Sequence, residues 1–244
     1  MTIGILLAAG KGSRLAPLTL ETPKPLLPIA GSTLIERNMD RALDIVDAFV
    51  IVVGWLGDKI HAHIGPMYRG KLVIYARQAN PSGGTLDALR SAIKAADAVH
   101  PGADFLVMNS DDLHGPDIFE QLGKDIKEDP DHALIGAKIL EDRERLKNFG
   151  VIEVVHGNIF SHIVEKPQEF ISELVNIGLY YFPAKVREFV PDTSLNPGKE
   201  EYLTDHLLNP YCAKFPVRVL STEDLWLPVN GHAEYDEAKR VLGK

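Results

Sequence analysis

Cysteine is almost missing from this sequence, which has only Cys212 in 244 residues. A single cysteine excludes an intrachain disulfide and a cysteine-based zinc cluster, and it suits a reducing compartment. Long apolar runs are missing too, because the first one, residues 3–9, is far too short to span a bilayer. The N-terminus also lacks the basic n-region and the cleavage site of a signal peptide. We therefore expect a cytoplasmic protein with no membrane partner.

Basic residues are in the minority, since 26 lysines and arginines face 34 aspartates and glutamates, for a formal net charge of -8. Proteins that bind nucleic acids or anionic membranes non-specifically usually present a basic face. We therefore expect no nucleic-acid partner and a small ligand. With 45% hydrophobic residues, the chain can bury a substantial core, as one large α/β domain or one domain with a smaller lobe.

Residues 1–31 reverse this charge balance, because they contain Lys11, Arg14 and Lys24 against Glu21 alone. Their apolar run, residues 3–9, is typical of a buried parallel strand, and the loop Gly10-Lys11-Gly12-Ser13-Arg14 follows at once. Unhindered backbone N–H groups and cations suit a polyphosphate. The glycine spacing matches neither the dinucleotide fingerprint nor the Walker A loop, so an ordinary glycine turn stays an alternative.

Three prolines follow in residues 22–28, TPKPLLP. Proline fixes φ and biases the residue before it toward extended conformations, so this segment is predicted not to be helical. Lys24 would then be a cation on a stiffened backbone. A solvated surface lysine is the alternative, but local cations in an acidic protein favour a specific anionic ligand.

Apolar patterns alternate between strand and helix along most of the chain. Strands are predicted at residues 48–53, 71–76, 105–108, 133–139 and 175–182, with helices at 34–46, 58–64, 85–96, 116–129 and 233–242. Residues 149–164 have the pattern of an antiparallel hairpin. The strand-helix-strand rhythm predicts right-handed βαβ units and a parallel sheet, whose ligands bind beyond the carboxyl ends of the strands.

Two adjacent carboxylates, Asp111 and Asp112, follow the strand at 105–108. Neighbouring carboxylates repel each other unless a cation is present, and Mg²⁺ takes one or two carboxylates together with substrate phosphates. Adjacent side chains on an extended segment point in opposite directions, so one of the pair is the expected ligand. An aspartate pair that caps the next helix is the alternative.

The segments LLAAGKGSRLAPLT and TPKPLLPIAG resemble the signature of the sugar-nucleotide pyrophosphorylases, which join an NTP to a sugar 1-phosphate. The resemblance, which extends to glucose-1-phosphate thymidylyl- and uridylyltransferases, implies an α/β fold. This fold is a Rossmann-like three-layer sandwich of the glycosyltransferase-A kind, with a mainly parallel sheet and a small antiparallel sugar-binding lobe. We expect a single domain over 1–244, in which 1–142 bind nucleotide, 143–224 form the sugar-phosphate lobe, and 225–244 carry a metal ligand and the C-terminal helix.

The same resemblance implies roles for individual residues. Arg14 would face the leaving pyrophosphate, Lys24 the reacting centre and Lys166 the sugar phosphate, as the catalytic residues. The implied nucleotide contacts are Leu7, Ala9, Gly10, Lys11, Gly12, Ser13, Gln78, Gly84 and Thr85. The implied sugar-phosphate contacts are Gly150, Glu165, Lys166, Asn176, Glu201 and Thr204.

The resemblance also bears on the expected Mg²⁺. It favours Asp111 as ligand, with Asp112 in support. Many relatives place a second aspartate two residues after the tryptophan that corresponds to Trp226, but this chain has Pro228 there, which cannot coordinate. Other relatives use an asparagine after a valine, and Asn230 fits that form. We therefore expect Asp111 and Asn230 as the metal ligands.

The expected reaction joins dTTP or UTP to a hexose 1-phosphate, with glucose 1-phosphate as the first candidate. The rivals are a same-fold enzyme for an N-acetylated sugar 1-phosphate or choline phosphate, a nucleotide-sugar glycosyltransferase, and a regulatory protein. A glycosyltransferase would carry Asp-x-Asp, which Ser110-Asp111-Asp112 lacks. No hexapeptide repeat is visible, which argues against the bifunctional relatives with an acetyltransferase domain. The sequence leaves the sugar, the choice between dTTP and UTP, and the oligomeric state open.

Overall fold

The computed structural model describes residues 1–78, 80, 82–196 and 198–243 as a mixture of strands and helices. The strands are β1 (Thr2–Ala8), β2 (Pro28–Ile29), β3 (Ser32–Thr33), β4 (Ala48–Val53), β5 (Met67–Tyr68), β6 (Lys71–Arg77), β7 (Asp104–Asn109), β8 (Asp112–His114), β9 (Ala133–Ile139), β10 (Gly150–Val155), β11 (Ile159–Glu165), β12 (Leu174–Phe182), β13 (Val217–Ser221) and β14 (Trp226–Pro228). The α-helices are α1 (Leu18–Glu21), α2 (Leu34–Ala42), α3 (Gly57–Ile64), α4 (Gly84–Asp97), α5 (Asp117–Glu128), α6 (Arg143–Leu146), α7 (Asn209–Cys212) and α8 (His232–Leu242). Short 3-10 turns lie at Ser13–Leu15, Lys24–Leu26 and Ala184–Phe189, and a π-helix at Thr204–Leu208.

One ten-stranded sheet organises the fold, in the order β10-β11-β13-β9-β12-β7-β1-β4-β6-β5. The strands β7, β1, β4 and β6 run parallel to one another, as the strand-helix rhythm predicts. Strand β12 lies antiparallel between β7 and β9. The predicted hairpin is confirmed as the antiparallel pair β10 and β11, and it joins the same sheet.

The core lies on both faces of the sheet, which makes the fold a three-layer α/β sandwich. Alternate residues of β1 point to opposite faces: Ile3 and Ile5 pack with the apolar side of α4, whereas Leu6 and Ala8 pack with α2 and α5. The Rossmann-like fold class predicted from the sequence is therefore confirmed.

Helix α2 begins where the sequence predicts, because Thr33 and Glu36 form a capping box. The Thr33 hydroxyl accepts a hydrogen bond from the Glu36 N–H, and the Glu36 carboxylate accepts one from the Thr33 N–H at 3.0 Å. These bonds satisfy backbone donors that the first helical turn leaves free.

The prediction that residues 22–28 contain no helical turn is wrong for Lys24–Leu26. These three residues form a 3-10 turn, which the Leu27 N–H closes by donating to the Lys24 carbonyl at 3.0 Å. Proline tolerates such a first turn, because its φ is compatible and the missing N–H has no partner there anyway. Pro23, just before the turn, is extended as expected. None of the helices in the described part of the chain is long and apolar enough to cross a membrane.

Candidate active site

Two cavities meet at the carboxyl end of the parallel strands. The first, here called the loop cavity, has a volume of about 240 Å³ and is lined by the glycine loop, Lys24, Pro25 and Ser110. The second, the lobe cavity, has a volume of about 430 Å³ and reaches toward β10, β11 and β12. The two share four lining residues, namely Leu7, Arg14, Asp111 and Asn230. The arrangement places a loop suited to phosphate directly beside a polar chamber.

The glycine loop lies close to Lys24. Gly12 has a φ of 62°, and a Cβ there would approach the Lys24 Cβ to 2.9 Å, so both the backbone conformation and the space require glycine. The Thr19 hydroxyl fixes the loop by donating to the Gly12 carbonyl at 2.9 Å. Lys24 is buried, at 8% exposure, and its ammonium group is ion-paired with Asp111.

The two predicted metal ligands lie side by side, although they are 119 positions apart in the sequence. Strand β14 pairs antiparallel with β8, and the Val229 N–H donates to the Asp111 carbonyl at 3.0 Å. Asn230 follows directly, and its Oδ1 accepts a hydrogen bond from Arg14 Nη2 at 3.2 Å. Pro228, at the position where the resemblance implied an aspartate, is paired with Asp112 in this ladder.

The neighbouring aspartates have different environments, as the alternation along an extended chain predicts. Asp111 lines both cavities with a side chain that is 32% exposed. Asp112 is buried and accepts hydrogen bonds from Asn109 Nδ2 at 3.0 Å and Trp226 Nε1 at 3.3 Å. Burial, and then the charge of Asp111, raise the pKa of the Asp112 carboxyl. Neither aspartate caps α5, where Pro116 holds the N-cap position, so the helix-capping alternative is wrong.

A divalent cation fits the donors at the shared wall. The Asp111 carboxylate and the Asn230 amide oxygen are hard oxygen ligands, and both face the cavities. The described residues contain no group of three or more histidine, cysteine or acidic side chains that could hold a metal alone. The remaining ligands would therefore have to be water and the substrate's own oxygens. In the structure the Lys24 and Arg14 side chains contact these two donors instead.

The lobe cavity contains most of the predicted sugar-phosphate contacts. Gly150 is paired with Glu165 across β10 and β11, and a Cβ at Gly150 would lie 3.0 Å from Glu165 Oε1. Glu165 Oε1 accepts a hydrogen bond from the Thr204 hydroxyl at 2.8 Å. Burial raises the pKa of Glu165, an effect that the Thr204 hydrogen bond and the Lys166 charge oppose. Lys166 is exposed at the cavity rim.

Asn176 lies at a bulge of β12 where the pairing with β9 shifts register. Its Nδ2 donates to the Tyr180 hydroxyl at 2.6 Å, and its Oδ1 accepts from the Gly178 N–H at 3.0 Å. Gly178 has a φ of 71°, and a Cβ there would lie 2.3 Å from Asn109 Nδ2. The bulge therefore packs against Asn109 and Asp112, next to the predicted metal ligand Asp111. Aromatic residues in such a strand are predicted to be core, and Tyr180 is indeed buried, but it is also part of the cavity wall.

The predicted nucleotide contacts divide into two groups. Leu7, Gly10, Gly12, Ser13 and Thr85 line one or both cavities.

The other four, Ala9, Lys11, Gln78 and Gly84, lie outside the described linings of both cavities. Gln78 Nε2 donates to the Gly84 carbonyl at 3.1 Å, within the loop before α4. The Ala9 carbonyl accepts from the Trp55 N–H at 3.2 Å, and Lys11 Nζ lies 5.9 Å from the centroid of the Trp55 ring. Ala79 and Pro81 of the predicted loop lie outside the described residues.

Glu201 does not take the position that the family resemblance implied. Its carboxylate is 1% exposed and is bound by Arg90 Nη2 at 2.8 Å, the Ser194 hydroxyl at 2.6 Å and the Asn196 N–H at 2.7 Å. Burial opposes ionisation, but the bonds from Ser194, Arg90 and Asn196 lower the pKa of Glu201 to about 2. An ionised carboxylate with these partners is not available for a sugar hydroxyl. The predicted contact between Glu201 and the sugar phosphate is therefore wrong.

Sequence reasoning missed several residues of the lobe cavity. Residues 141–147 are a run of mostly charged residues, a pattern that predicts a solvated face. Arg145 within this charge run and Asn148 just after it nevertheless line the cavity. Tyr202 and Leu203 also line this cavity, and so does Thr204, as predicted, whereas the preceding Glu201 does not. A signal was available for Arg145, because the run leads directly into the Phe149-Gly150 segment that was assigned to the sugar site. The other missed lining residues are Asn109, Phe149, Gly178, Tyr180, Trp226 and Glu234.

A parallel sheet with a glycine loop, cations and a carboxylate at its carboxyl edge defines an α/β protein of the class that binds nucleotides or similar phosphates there. Residues 3–239 match the family model described as nucleotidyl transferase, and the chain belongs to this family. The resemblance read from the glycine loop and the proline segment is thereby confirmed.

Two curated relatives and one solved structure illustrate the similarity. The bifunctional protein GlmU of Methanocaldococcus jannaschii is 30% identical over 241 residues, 98% of this chain and 53% of that protein. The UTP–glucose-1-phosphate uridylyltransferase AglF of Haloferax volcanii is 28% identical over 179 residues, 73% of this chain and 70% of that protein. This chain thus spans about half the length of the GlmU relative. A UDP-glucose pyrophosphorylase complexed with UDP-glucose superposes with a TM-score of 0.84 at 21% identity, covering 99% of this chain and 98% of that one, a likeness that shows the fold.

Proposed function

We propose that this protein transfers the nucleotidyl group of dTTP or UTP to a hexose 1-phosphate, with glucose 1-phosphate as the first candidate. The observation that carries the proposal is the shared wall between the loop cavity and the lobe cavity, formed by Leu7, Arg14, Asp111 and Asn230. Two anionic substrates in these cavities would meet at that wall. The similarity to AglF, whose name specifies UTP and glucose 1-phosphate, supports this choice of substrates.

The proposed reaction is an in-line attack by a sugar-phosphate oxygen on the α-phosphorus of the NTP. A P–O bond forms to the sugar phosphate, the bond between the α-phosphorus and the bridging oxygen breaks, and pyrophosphate leaves with that oxygen. The nucleophile is already ionised at neutral pH, so the protein mainly has to position two anions and offset the developing charge. His114 is unsuited to act as a base, because burial lowers its pKa to about 4 and Ile177 and Asn38 contact its ring nitrogens.

Each cation has a role that follows from its place. Lys24 and Arg14, on the loop-cavity side, would exchange Asp111 and Asn230 for oxygens of the triphosphate. Lys24 would neutralise charge at the reacting centre and Arg14 would hold the departing pyrophosphate. Lys166, at the opposite side, would hold the sugar phosphate. This exchange leaves Asp111 and Asn230 free to hold Mg²⁺, which would offset charge on the phosphates of both substrates.

Neutral and acidic groups of the lobe cavity would recognise the sugar. Glu165 and Asn176 offer acceptors and donors to hydroxyl groups, and Gly150, which also lines the cavity, would let the backbone approach the sugar ring closely. The segment 143–224 would thus serve as the sugar-phosphate part. The nucleobase would lie against Leu7, the glycine loop and the loop Gln78–Thr85, where a glutamine amide can pair with the imide edge of uracil or thymine.

A substrate panel tests the proposal. The purified protein with Mg²⁺ is incubated with dTTP, UTP, ATP, GTP or CTP and with the 1-phosphates of glucose, N-acetylglucosamine or mannose, or with choline phosphate. We expect pyrophosphate and a nucleotide sugar, identified by mass, from dTTP or UTP with glucose 1-phosphate. Omission of the sugar phosphate is the control for NTP hydrolysis. The absence of turnover with every pair would contradict the catalytic proposal, and turnover with choline phosphate alone would favour that rival.

A further inference from the structure

Three charged side chains are buried beside the loop that precedes α4, outside the described linings of both cavities. Arg90 and Asp87 are each 6% exposed and Glu201 is 1% exposed. Arg90 Nη1 donates to Asp87 Oδ1 at 2.9 Å, Nη2 to Glu201 Oε2 at 2.8 Å, and Nε to the Pro191 carbonyl at 2.6 Å. Buried charges are costly unless their geometry is good, and here one guanidinium joins helix α4 to two other segments.

The backbone of Glu201 is bound directly to the loop that is proposed to face the nucleobase. Its N–H donates to the Gly83 carbonyl at 3.0 Å, and its carbonyl accepts from the Leu86 N–H at 2.9 Å. Gly84 has a φ of 75°, and a Cβ there would lie 2.6 Å from the Glu201 carbonyl oxygen. The segment around Glu201 therefore packs against this loop with no room for a side chain.

The residues after Glu201 form a wall of the lobe cavity. Tyr202, Leu203 and Thr204 all line it. The Leu203 N–H donates to the Thr85 hydroxyl at 2.8 Å, and the Thr204 hydroxyl donates to Glu165 at 2.8 Å. A continuous set of bonds thus leads from Arg90 through Glu201 to Thr85 on one side and to Glu165 on the other.

We propose that Arg90 is a positioning residue. Its ion pair with Glu201 holds two parts of the site at a fixed distance from each other: the loop before α4, which is proposed to face the nucleobase, and the lobe-cavity wall formed by residues 202–204. Lysine cannot replace Arg90, because a single ammonium group cannot reach the three acceptors that the planar guanidinium contacts. The kinetic consequence rests on the proposed function, whereas the structural coupling does not. Displacement of either wall would loosen the binding of both substrates.

The chain offers a matched control in a second arginine that contacts the same helix. Arg187 Nη2 donates to Asp97 Oδ1 at 2.7 Å at the C-terminal end of α4, and its Nη1 donates to the Ala103 carbonyl at 2.7 Å. This second arginine also ties α4 to the region after β12, but it lies outside the described linings of both cavities. Arg90→Lys and Arg187→Lys therefore remove comparable guanidinium contacts, the first in the middle of α4 and the second at its C-terminal end.

The test combines kinetics with hydrogen exchange of backbone amides. We expect Arg90→Lys to raise KM for both the NTP and the sugar phosphate by about 10-fold, with kcat nearly kept, because the binding groups shift while the reacting cations stay. Exchange at the Leu86 and Leu203 amides should increase in the same variant. Arg187→Lys should lower Tm yet leave both KM values and these two amides unchanged.

A second variant covers the case in which Arg90→Lys fails to fold. Ser194→Ala removes one hydrogen bond to Glu201 and keeps every charge, so it should change the same amides and KM values in the same direction, by a smaller factor. Unchanged exchange at Leu86 and Leu203 in the folded variants, or equal KM effects from Arg187→Lys, would overturn the inference. If the wild type turns over no substrate pair, the proposed function fails, while the exchange measurement still decides the coupling.

Discussion

The loop cavity and the lobe cavity arrange their cations differently. In the loop cavity, Lys24 is paired with Asp111, and Arg14 donates to Asn230. These partners hold both cations in place before any substrate enters. Preorganised charge is the most effective kind for stabilising a transition state, because no reorganisation is needed when the reaction occurs. The same partners, however, compete with an incoming phosphate.

The lobe cavity keeps its shape by other means. Its walls are held by hydrogen bonds whose donors carry no charge, such as those from Thr204 to Glu165 and from Asn176 to Tyr180. Its cations Lys166 and Arg145 make no side-chain ion pair with any residue that the structure describes. An anion can bind there without displacing a carboxylate. Under the proposed function, the triphosphate would therefore meet cations that already have partners, whereas the sugar phosphate would meet cations without ion pairs to any described residue.

The strongest test of this difference is Lys24→Met. We expect kcat/KM to fall by about 1,000-fold, because the variant loses charge stabilisation at the reacting centre. Lys59→Met is the control, since Lys59 donates to the Glu21 carbonyl at the end of α1 and lies outside the described linings of both cavities. Turnover is measured as pyrophosphate release, with circular dichroism to verify folding. Near-native turnover in a folded Lys24→Met variant, or in Asp111→Asn, would contradict the role assigned to that residue.

A smaller and more selective effect is expected from Lys166→Met. The variant should raise KM for the sugar phosphate by about 30-fold and leave KM for the NTP nearly unchanged, because the charged contact belongs to one substrate only. Lys147→Met is the control, since Lys147 is exposed and already paired with Glu144 at 2.9 Å. Initial rates with each substrate varied in turn separate the two constants. An equal rise in both KM values would show that the cavities are not divided in this way.

The smallest expected effect concerns metal binding to the free protein. Lys24→Met should bind Mn²⁺, as a probe for Mg²⁺, up to about 5-fold more tightly than the wild type, because Asp111 loses an ion-pair partner. Lys166→Met should leave this affinity unchanged. The affinities are measured by electron paramagnetic resonance of free Mn²⁺ without NTP, and Asp111→Asn serves as the negative control. A weaker affinity in Lys24→Met would mean that the lysine does not compete with the metal.

Much of the fold could be predicted from the sequence, because short segments carry their own signals. Strands β4 and β9 have the predicted ends, since each is a mainly apolar run, buried throughout in β4 and as far as Ala137 in β9. The capping box that starts α2 was likewise readable from Thr33 and Glu36. The antiparallel insertion of β12 between β7 and β9 was not, because strand order depends on contacts between distant segments.

In the candidate site, too, some residues could be identified from local sequence and others depended on the tertiary structure. Gly12, Lys24 and Asp111 were identified from the sequence because the loop, the proline segment and the strand end are local patterns. The environment of Asn230 beside Asp111 depends on the pairing of β14 with β8, which no local pattern specifies.

Glu201 is the clearest example of a residue whose environment the local sequence did not predict. Its motif predicted a cavity residue, but the side chain is buried against Arg90, 111 positions earlier in the chain. Local sequence sets backbone preference and the periodicity of burial, whereas the partner of a charged group is chosen by the free energy of burying it within the whole fold. The sequence therefore predicted the class of protein, which the family match confirms, and it identified candidate residues at the strand ends. The tertiary structure alone decided which charges face the cavities and which hold their walls together.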